Sequence, residues 1–351
     1  MSWPQQNIDL LIISVVLFLA VVVLSWVSIR GLIGMLIKRN MVDNANDRSM
    51  HQGAIPRGGG LVIVAALLSS TLFWTVCSDR PLFFVSLFLV LLGWASLSWM
   101  DDKYDLSALL RGTIQLVLSA LSVFLFGWVN RVLEFELQEF GPVISVIGVV
   151  WIANLNNFMD GMDGLAASQC IIANITLGLW FFFLGDVELA SVCLVAIAAT
   201  YGFLLWNWHP AKIFMGDVGS ITLGAFYGCL IVIASDRHEV PVISSVLVFA
   251  VFIFDATYTL IRRAVNREKF WLAHRSHWYQ RAGLASVPHN QVVLAAAGLM
   301  CLCSLFATIS LLNPRYSLLM VSLTFAMLIS VCFVILRVEK RSNSYNNKNK
   351  T

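Results

Sequence analysis

Apolar residues along the chain come in long runs that are separated by short polar segments. Eleven of these runs are candidate membrane-spanning helices, at residues 7–29, 59–76, 81–99, 108–129, 143–153, 166–184, 189–206, 218–234, 240–261, 291–312 and 316–336. A spanning helix needs about 20 mostly apolar residues, so we expect the short fifth run to continue toward Met159 as a helix with a polar end. The pattern predicts an all-α fold, a polytopic transmembrane helical bundle of about eleven spans.

Composition supports this class. Hydrophobic residues make up 59% of the 351 positions and charged residues only 12%, whereas a soluble domain carries about a quarter charged residues. The seven cysteines are odd in number and lie almost entirely in apolar runs, which favours packing roles over disulfides or metal ligands. With no internal repeat, we predict a single integral-membrane domain over residues 1–340. The polar segment 341–351 is predicted to be a disordered cytoplasmic tail.

The distribution of positive charge predicts an orientation. If the N-terminus lies outside, 19 of the 23 lysines and arginines fall in the inner connections and the C-terminal tail, and only Arg80, Arg131, Arg237 and Arg315 fall outside. Cytoplasmic loops of membrane proteins carry such an excess. We therefore predict eleven spans with the N-terminus out and the C-terminus in. The net charge of +3 gives no indication of a nucleic-acid partner.

Unusual polar clusters occur in every inner connection and in no outer one. They lie at residues 51–60, 101–105, 154–164, 207–220 and 274–281. Each alone has a structural explanation: Asp102 beside Lys103 could be a solvated pair, and His274 and His277 could cap helices. Five such clusters on one side instead indicate an active site at the cytoplasmic face. Asp255, an acid within the ninth run, indicates a function or a buried partner such as Arg262 or Arg263.

The residue types in these clusters indicate phosphoryl transfer. Six carboxylates occur without soft ligands, at Asp101, Asp102, Asp105, Asp160, Asp163 and Asp217. Such oxygen-rich sets suit Mg²⁺ or Mn²⁺. The groups suited to holding phosphate oxygens are Arg57, Lys212, Arg275, Arg281 and the histidine pair 274 and 277. On a helical end, Asn154, Asn157 and Asp160 would share one face, as would Asp101 and Asp105. At an inner membrane face, this set predicts phosphate transfer to or from a lipid, with a soluble cytoplasmic donor.

In order along the chain, these clusters resemble the motifs of the polyprenyl-phosphate N-acetylhexosamine-1-phosphate transferase family, which starts bacterial O-antigen, common-antigen and peptidoglycan lipid intermediates. The matching segments are Pro-Arg-Gly-Gly at 56–59, Asp-Asp-Lys-Tyr-Asp-Leu-Ser at 101–107, Asn-Leu-Asn-Asn-Phe-Met-Asp-Gly-Met-Asp-Gly-Leu-Ala at 154–166, Phe-Met-Gly-Asp-Val-Gly-Ser at 214–220 and His-Arg-Ser-His at 274–277. The segments at 154–166 and 214–220 are each fairly specific for this family, and together they are very specific.

The resemblance implies Mg²⁺, with Mn²⁺ as an alternative, a UDP-N-acetylhexosamine-type donor and undecaprenyl phosphate as acceptor. The metal ligands would be Asp217, as the principal one, and Asp160. The residues assigned to catalysis are Asp101, Asp102, His274 and His277. Those assigned to substrate binding are Arg57, Asn154, Asn157, Asp163, Asn207, Lys212, Phe214 and Arg275. The implied reaction transfers the sugar-1-phosphate to the lipid and releases UMP.

The resemblance also implies a place in the cell and a branch of the family. The chain would be a multi-pass transferase of the bacterial inner membrane, with a homodimer left open. Many members have His-x-His-His, but this chain has Ser276 in the third place, which is similar to O-antigen initiators that use N-acetylated 6-deoxyhexosamines. It also lacks the Lys-bearing acidic motif of the pentapeptide-using branch. We therefore expect initiation of a lipid-linked surface polysaccharide of the O-antigen or lipopolysaccharide type.

Two other classes fit less well. CDP-alcohol phosphotransferases need Ala-Arg soon after their Asp-Gly, and here Leu165-Ala166-Ala167 follows. A transporter or lipid flippase would need polar residues that reach mid-membrane, whereas the outer halves of the predicted spans are nearly free of charge.

Overall fold

The computed structural model describes residues 3–39, 41–44, 53–133, 135–268 and 274–348, and for 3–11, 44 and 343–348 only the backbone is considered. His51 and Arg48, which the sequence assigns to the first inner connection, lie outside the described residues. The described α-helices are α1 (Trp3–Lys38), α2 (Gly60–Cys77), α3 (Pro81–Tyr104), α4 (Ala108–Phe126), α5 (Phe140–Phe158), α6 (Leu165–Phe183), α7 (Val187–Asn207), α8 (Asp217–Arg237), α9 (Val242–Val248), α10 (Ala250–Val265), α11 (Trp278–Leu284), α12 (His289–Leu312) and α13 (Ser317–Lys348).

The helices confirm the predicted polytopic, all-α architecture. Ten are long and apolar enough to cross a membrane, namely α1 to α8, α12 and α13. The ninth predicted run is a broken element, because α9 and α10 meet at an angle of 80°; counted as one span, this pair raises the total to eleven. The short fifth run does continue as expected, since α5 extends to Phe158.

Helix α8 forms the centre of the bundle and begins at a predicted metal ligand. All of its residues from Val218 to Ala234 are buried, and it lies against α2, α3, α4 and α5. Close approach requires glycine: a Cβ on Gly60 would lie 2.3 Å from the Cα of Gly219. This tight packing holds the start of α8, and with it Asp217, against the segment that precedes α2.

Two short hairpins accompany the bundle. Strands β1 (Val42–Asn44) and β2 (Ala54–Pro56) pair antiparallel, with Val42 opposite Pro56. Strands β3 (Arg131–Val132) and β4 (Phe135–Glu136) form the second hairpin. The first hairpin leads directly into Arg57, so it lies at the same end of the bundle as the start of α8.

An ion-pair network joins the helices at the opposite end. The Arg80 guanidinium, just before α3, donates to both carboxylate oxygens of Asp186 at 2.7 and 3.0 Å. Burial alone would raise the pKa of Asp186, but the hydrogen bonds from Arg80 and the Leu189 amide, together with the charges of Arg80 and His238, lower it overall. His238, just after α8, lies 3.1 Å from the same carboxylate. This network fixes the ends of α3, α7 and α8 that are remote from Asp217.

The C-terminal helix is longer than the sequence indicates. Helix α13 continues to Lys348, so residues 341–348 are helical in the structure, whereas their composition favours a disordered tail. The remaining residues, 349–351, lie outside the described part of the chain.

Candidate active site

The centre of the candidate site is a group of charged and amide side chains at the start of α8. The Arg57 guanidinium contacts an Asp217 carboxylate oxygen and lies 3.8 Å from Oδ1 of Asp102. The Asn157 amide donates to Oδ1 of Asp217 at 2.9 Å and to Oγ of Ser220 at 2.9 Å. The structure thus brings together four predicted site residues from four separate segments.

Backbone pairing explains how Arg57 reaches this position. The amides of Gly58 and Gly59 donate to the carbonyl oxygen of Phe214 at 3.0 and 2.8 Å, and the amide of Phe214 donates to the carbonyl of Pro56 at 2.8 Å. The two motif segments 56–60 and 214–217 therefore run side by side. Arg57 is held beside Asp217 although the two lie 160 positions apart in the chain.

Asp160 adds a further carboxylate to this group. It follows the end of α5, where its amide donates to the carbonyl of Asn157 at 3.1 Å. The pKa of Asp160 is raised to about 8, mainly by burial; Arg57 opposes this increase, and the charges of Asp217 and Asp163 add to it. Burial lowers the pKa of Arg57, but its carboxylate neighbours, led by Asp217, raise it overall. The group thus contains more carboxylates than Arg57 alone can neutralise.

The two adjacent acids of the second motif have different partners. Asp102 accepts a hydrogen bond from the backbone of Val218, in the first turn of α8, and its side chain is 23% exposed. Asp101 is buried and accepts from Arg111 at 2.6 Å and from the amide of Leu106 at 3.1 Å. Asp101 therefore joins α3 to α4, next to the acid cluster, whereas Asp102 faces Arg57.

Helix geometry also separates residues for which the sequence predicts a shared face. The Asn154 amide donates to Gln115 of α4 and to the carbonyl of Val150, both at 2.8 Å, whereas Asn157 faces α8. The prediction of one face is wrong for Asp160, because α5 ends at Phe158. Likewise Asp105 ends α3 in a left-handed conformation with φ of 50° and is exposed, so it does not share the environment of Asp101.

Asn207 and Asp163 hold the loops that surround the site. The Asn207 side chain accepts from the amide of Gly164 at 2.8 Å and donates to the carbonyl of Ile213 at 2.9 Å. Both functions of this buried amide are therefore used by backbone groups. One oxygen of the Asp163 carboxylate lies 2.7 Å from Nδ1 of His209 and accepts a hydrogen bond from the amide of Ala211 at 3.1 Å. Its second oxygen has no such contact among the described residues.

The sequence analysis missed two histidines in this region. The rings of His209 and His289 are 4.6 Å apart, and together with Asp163 they offer potential ligand atoms within 4.8 Å of one another. Because one Asp163 oxygen already accepts from His209 and Ala211, these contacts brace the loop. His209 lies inside the fourth polar cluster and could have been noticed there. His289 begins α12, some distance along the chain, and no local pattern marks it.

Two other predicted binding residues lie at the edge of this region. The Lys212 ammonium lies 5.3 Å from the ring centre of Trp206, and Lys212 is exposed. The Phe214 backbone pairs with Arg57, which places the Phe214 side chain next to the charged cluster in sequence and in space. Among the described residues, the Lys212 ammonium forms no ion pair with the central carboxylates.

Tyr279 links the histidine motif to the Asp160 loop, the segment 159–164 between α5 and α6. The rings of His274 and His277 are 4.8 Å apart, and His277 stacks on Tyr279 at 5.7 Å. The Tyr279 hydroxyl donates to the carbonyl of Phe158 at 3.2 Å, and a Cβ on Gly161 would lie 2.2 Å from that hydroxyl oxygen. Burial raises the pKa of Tyr279 well above its usual value, and the charges of Asp255 and Asp160 add to this.

The partners of the remaining charged residues differ from the predicted ones. Asp255 contacts His277 and the start of α11, instead of the expected Arg262 or Arg263. Arg281 forms a two-pronged ion pair with Glu339 of α13 at 2.8 and 2.6 Å. Arg281 therefore holds α11 on α13, and the hypothesis that it binds phosphate loses support. Arg275 lies in the described part of the histidine motif, partly buried.

The donor set fits Mg²⁺. Asp217 and Asp102 are 21% and 23% exposed in their side chains, so oxygen atoms of both are accessible. Asp160 and the Asn157 amide lie beside Asp217. In the structure, the Arg57 guanidinium supplies the positive charge between Asp102 and Asp217. Mg²⁺ is bound in proteins by one or two carboxylates together with water and substrate phosphates. Excess carboxylate charge, oxygen donors and partial exposure are what such an ion requires.

The fold and the site define a class: an integral-membrane protein with a cluster of carboxylate, amide and guanidinium groups at one end of its helical bundle. Comparison with known proteins specifies it. The pattern described as Glycosyl transferase family 4 matches residues 83–235. A probable undecaprenyl-phosphate N-acetylglucosaminyl 1-phosphate transferase of Bacillus subtilis (strain 168) is 32% identical over 268 residues, which are 74% of this chain and 74% of that protein.

Two further relatives agree with this assignment. An undecaprenyl-phosphate alpha-N-acetylglucosaminyl 1-phosphate transferase of Escherichia coli (strain K12) is 26% identical over 84% of each chain. A phospho-N-acetylmuramoyl-pentapeptide-transferase of Wolbachia sp. subsp. Brugia malayi (strain TRS) is 29% identical over 73% of this chain and 84% of its own. The chain belongs to the polyprenyl-phosphate N-acetylhexosamine-1-phosphate transferase family.

Proposed function

We propose that this protein transfers an N-acetylated hexosamine-1-phosphate, with an amino or 6-deoxy sugar, from a UDP-sugar to undecaprenyl phosphate and releases UMP. The observation that carries the proposal is the grouping of Arg57, Asp102, Asn157 and Asp217 at one end of an apolar bundle. The relatives named for undecaprenyl phosphate support the acceptor. The cationic and metal-binding groups support a diphosphate donor.

The reaction needs positioning and charge stabilisation more than proton transfer. An oxygen of the acceptor phosphate attacks the β-phosphorus of the donor in line; a new P–O bond forms, the bond to the α-phosphate oxygen breaks, and UMP leaves with the electron pair. A phosphate monoester has a second pKa near 6, so the acceptor is largely dianionic at neutral pH. The reaction therefore depends little on a general base. We assign Asp102 to orienting the substrates or binding the metal instead.

Each residue of the cluster has a role that follows from its contacts. Mg²⁺, held by Asp217 with support from Asp160, would neutralise charge on the phosphate oxygens. Arg57 supplies a fixed positive charge next to these acids, suited to a phosphate oxygen. Asn157 keeps Asp217 in place through its 2.9 Å hydrogen bond. Preorganised charges of this kind stabilise the transition state without reorganisation.

We further propose that the site faces the cytoplasm of a bacterial inner membrane and starts a surface polysaccharide of the O-antigen or lipopolysaccharide type. The excess of 19 lysines and arginines among 23 on one side supports this orientation. The end of α3 with Asp102, the end of α5 with Asn157 and the start of α8 with Asp217 share that side. A cytoplasmic site would meet soluble UDP-sugars directly.

The proposal is tested by incubating the purified protein in lipid vesicles with undecaprenyl phosphate and a panel of UDP-N-acetylhexosamines. We expect UMP release and a lipid-linked product with at least one donor when Mg²⁺ is present, and no product after chelation. Mn²⁺ should restore activity, because it accepts similar oxygen ligands. Product formation at the full rate without any divalent cation would contradict the metal assignment, and the absence of product with every donor would contradict the function.

A further inference from the structure

Asp255 is a buried acid on α10 that the reaction as proposed does not use. It is 5% exposed and is the sixth residue of α10. Helix α10 meets α9 at an angle of 80°. A buried carboxylate is costly unless donors surround it. The groups that surround Asp255 therefore indicate what it is for.

Four donors converge on Asp255, and three of them come from His277 and the first two residues of α11. Nδ1 of His277 lies 3.2 Å from Oδ1, the amide of Trp278 donates to Oδ1 at 2.9 Å, and the amide of Tyr279 donates to Oδ2 at 3.2 Å. The fourth is the hydroxyl of Thr259, one turn away on α10, at 3.2 Å. Asp255 thus anchors the segment that carries His277 to α10, the second half of the bent α9–α10 pair.

The contact with His277 also defines the state of that ring. Because both Asp255 oxygens already accept from backbone amides, we take Nδ1 of His277 as the donor to Oδ1. Nε2, on the other side of the ring, makes no hydrogen bond to another side chain of the described residues, and the ring is 4% exposed. Stacking on Tyr279, which contacts the carbonyl of Phe158, holds the ring next to the Asp160 loop.

We infer that Asp255 is a positioning residue that orients His277, so that Nε2 contacts the diphosphate of the donor. This inference rests on the proposed function. Because Nδ1 already carries a hydrogen, Nε2 donates to a phosphate oxygen only from the doubly protonated ring. That ring then lies between two anions, the Asp255 carboxylate and the phosphate. Charge-assisted hydrogen bonds of this kind are about twice as strong as neutral ones.

The neighbouring His274 provides a contrast. Its Nδ1 accepts from the amide of Ser276 at 3.4 Å and lies 2.9 Å from the Ser276 hydroxyl. In the neutral ring of His274 the hydrogen therefore lies on Nε2. The two imidazoles of the motif thus have different partners on Nδ1, and only His277 is held by a buried charge.

The test uses Asp255→Asn, His277→Gln and the double variant, with Thr257→Val on the same helix as the matched control, because the Thr257 hydroxyl has no hydrogen-bond partner in the described part of the chain. Asparagine keeps one oxygen; when that oxygen accepts from the Tyr279 amide, the NH₂ group faces the His277 ring and the Trp278 amide, so both lose their acceptor. We expect Asp255→Asn and His277→Gln each to lower kcat/KM for the donor at least tenfold. The double variant should lie within twofold of the more impaired single variant, because both changes remove one interaction. Thr257→Val should stay within twofold of the wild type.

Binding of UDP and of UMP separates positioning from structural damage. UDP retains the diphosphate and UMP does not, so Asp255→Asn should weaken UDP binding at least fivefold and change UMP binding less than twofold. Asp255→Glu, which keeps the charge, should recover part of the UDP affinity, and it replaces the asparagine variant if that one does not fold.

The outcomes distinguish this inference from the function on which it rests. Multiplicative effects in the double variant, or equal losses of UDP and UMP binding with a lowered Tm, would overturn the positioning role. Wild-type kinetics in a folded Asp255→Asn protein would do the same while the transferase assignment stands. A wild-type protein that neither binds UDP nor releases UMP would overturn both.

Discussion

Replacing Asp217 by asparagine tests the centre of the site. The change is isosteric and keeps an oxygen that can accept from Asn157, so packing at the start of α8 is retained. What is lost is one negative charge, which now contacts Arg57 and which we assign to Mg²⁺. Removing one preorganised electrostatic group typically costs 10² to 10³ in kcat. Because metal binding is affected as well, we expect a loss of about 10³-fold, equivalent to about 4 kcal/mol.

The same structure predicts a small effect on stability. The side chains of Arg57 and Asp217 are 44% and 21% exposed, and partly exposed ion pairs contribute about 1 kcal/mol or less. Asp105→Asn is the matched control: it neutralises an exposed acid of a neighbouring motif, and its left-handed φ of 50° suits asparagine. It should keep wild-type activity.

The assay is UMP release by each purified variant in vesicles across a Mg²⁺ titration, with Tm measured in parallel. Asp217→Asn should unfold within a few degrees of the wild type and remain nearly inactive at every Mg²⁺ concentration. Full turnover by a folded Asp217→Asn protein, or an equal loss in Asp105→Asn, would refute the reasoning.

Three further predictions follow from individual contacts. The pKa of Asp160 is raised to about 8, so below pH 8 this carboxyl carries a proton that Mg²⁺ must displace. The Mg²⁺ concentration for half-maximal activity should therefore fall about tenfold per pH unit from pH 6 to 8. Asp160→Asn should abolish this pH dependence. Asn207→Ala leaves two buried backbone groups without a partner and should lower the free energy of unfolding by about 2 kcal/mol or more, measured by thermal or denaturant unfolding; an unchanged Tm would contradict the bracing role. In a protein whose seven native cysteines have been replaced, a cysteine at Ser276 should react with an impermeant thiol reagent only from the cytoplasmic side and one at Ser78 only from the outside; the reverse pattern would contradict the orientation.

Periodicity and length were sufficient to predict the spans, because burial in lipid imposes them locally. Even the short fifth run was recognised as part of a longer helix, since Asn154 and Asn157 continue it as a polar end. The same reasoning could not place the break between α9 and α10 within the ninth run, because the composition remains apolar across Phe249. Helix breaks of this kind depend on packing with distant segments.

Residue types identified the members of the site better than their roles. Arg57 and Asp217 meet because segments 56–60 and 214–217 pair through backbone hydrogen bonds, and Asn157 reaches Asp217 through its side chain. Sequence spacing could not separate Asp101 from Asp102, because adjacent helical residues point about 100° apart and only tertiary contacts decide which one faces Arg57. Nor could it find the partners of Asp255 and Arg281, which lie on other helices. Long-range pairing of this kind leaves no local pattern.

The fate of the donor's β-phosphorus tests the central claim most directly. Vesicles that contain the purified protein and undecaprenyl phosphate would be given UDP-N-acetylhexosamines labelled with ³²P at the β-position, and both lipid and aqueous fractions would be counted. The proposed reaction predicts that the label enters the lipid together with the sugar and that one UMP is released for each lipid product. Label that remains in the aqueous phase as UDP while sugar enters the lipid would contradict it, because the enzyme would then transfer the sugar without its phosphate.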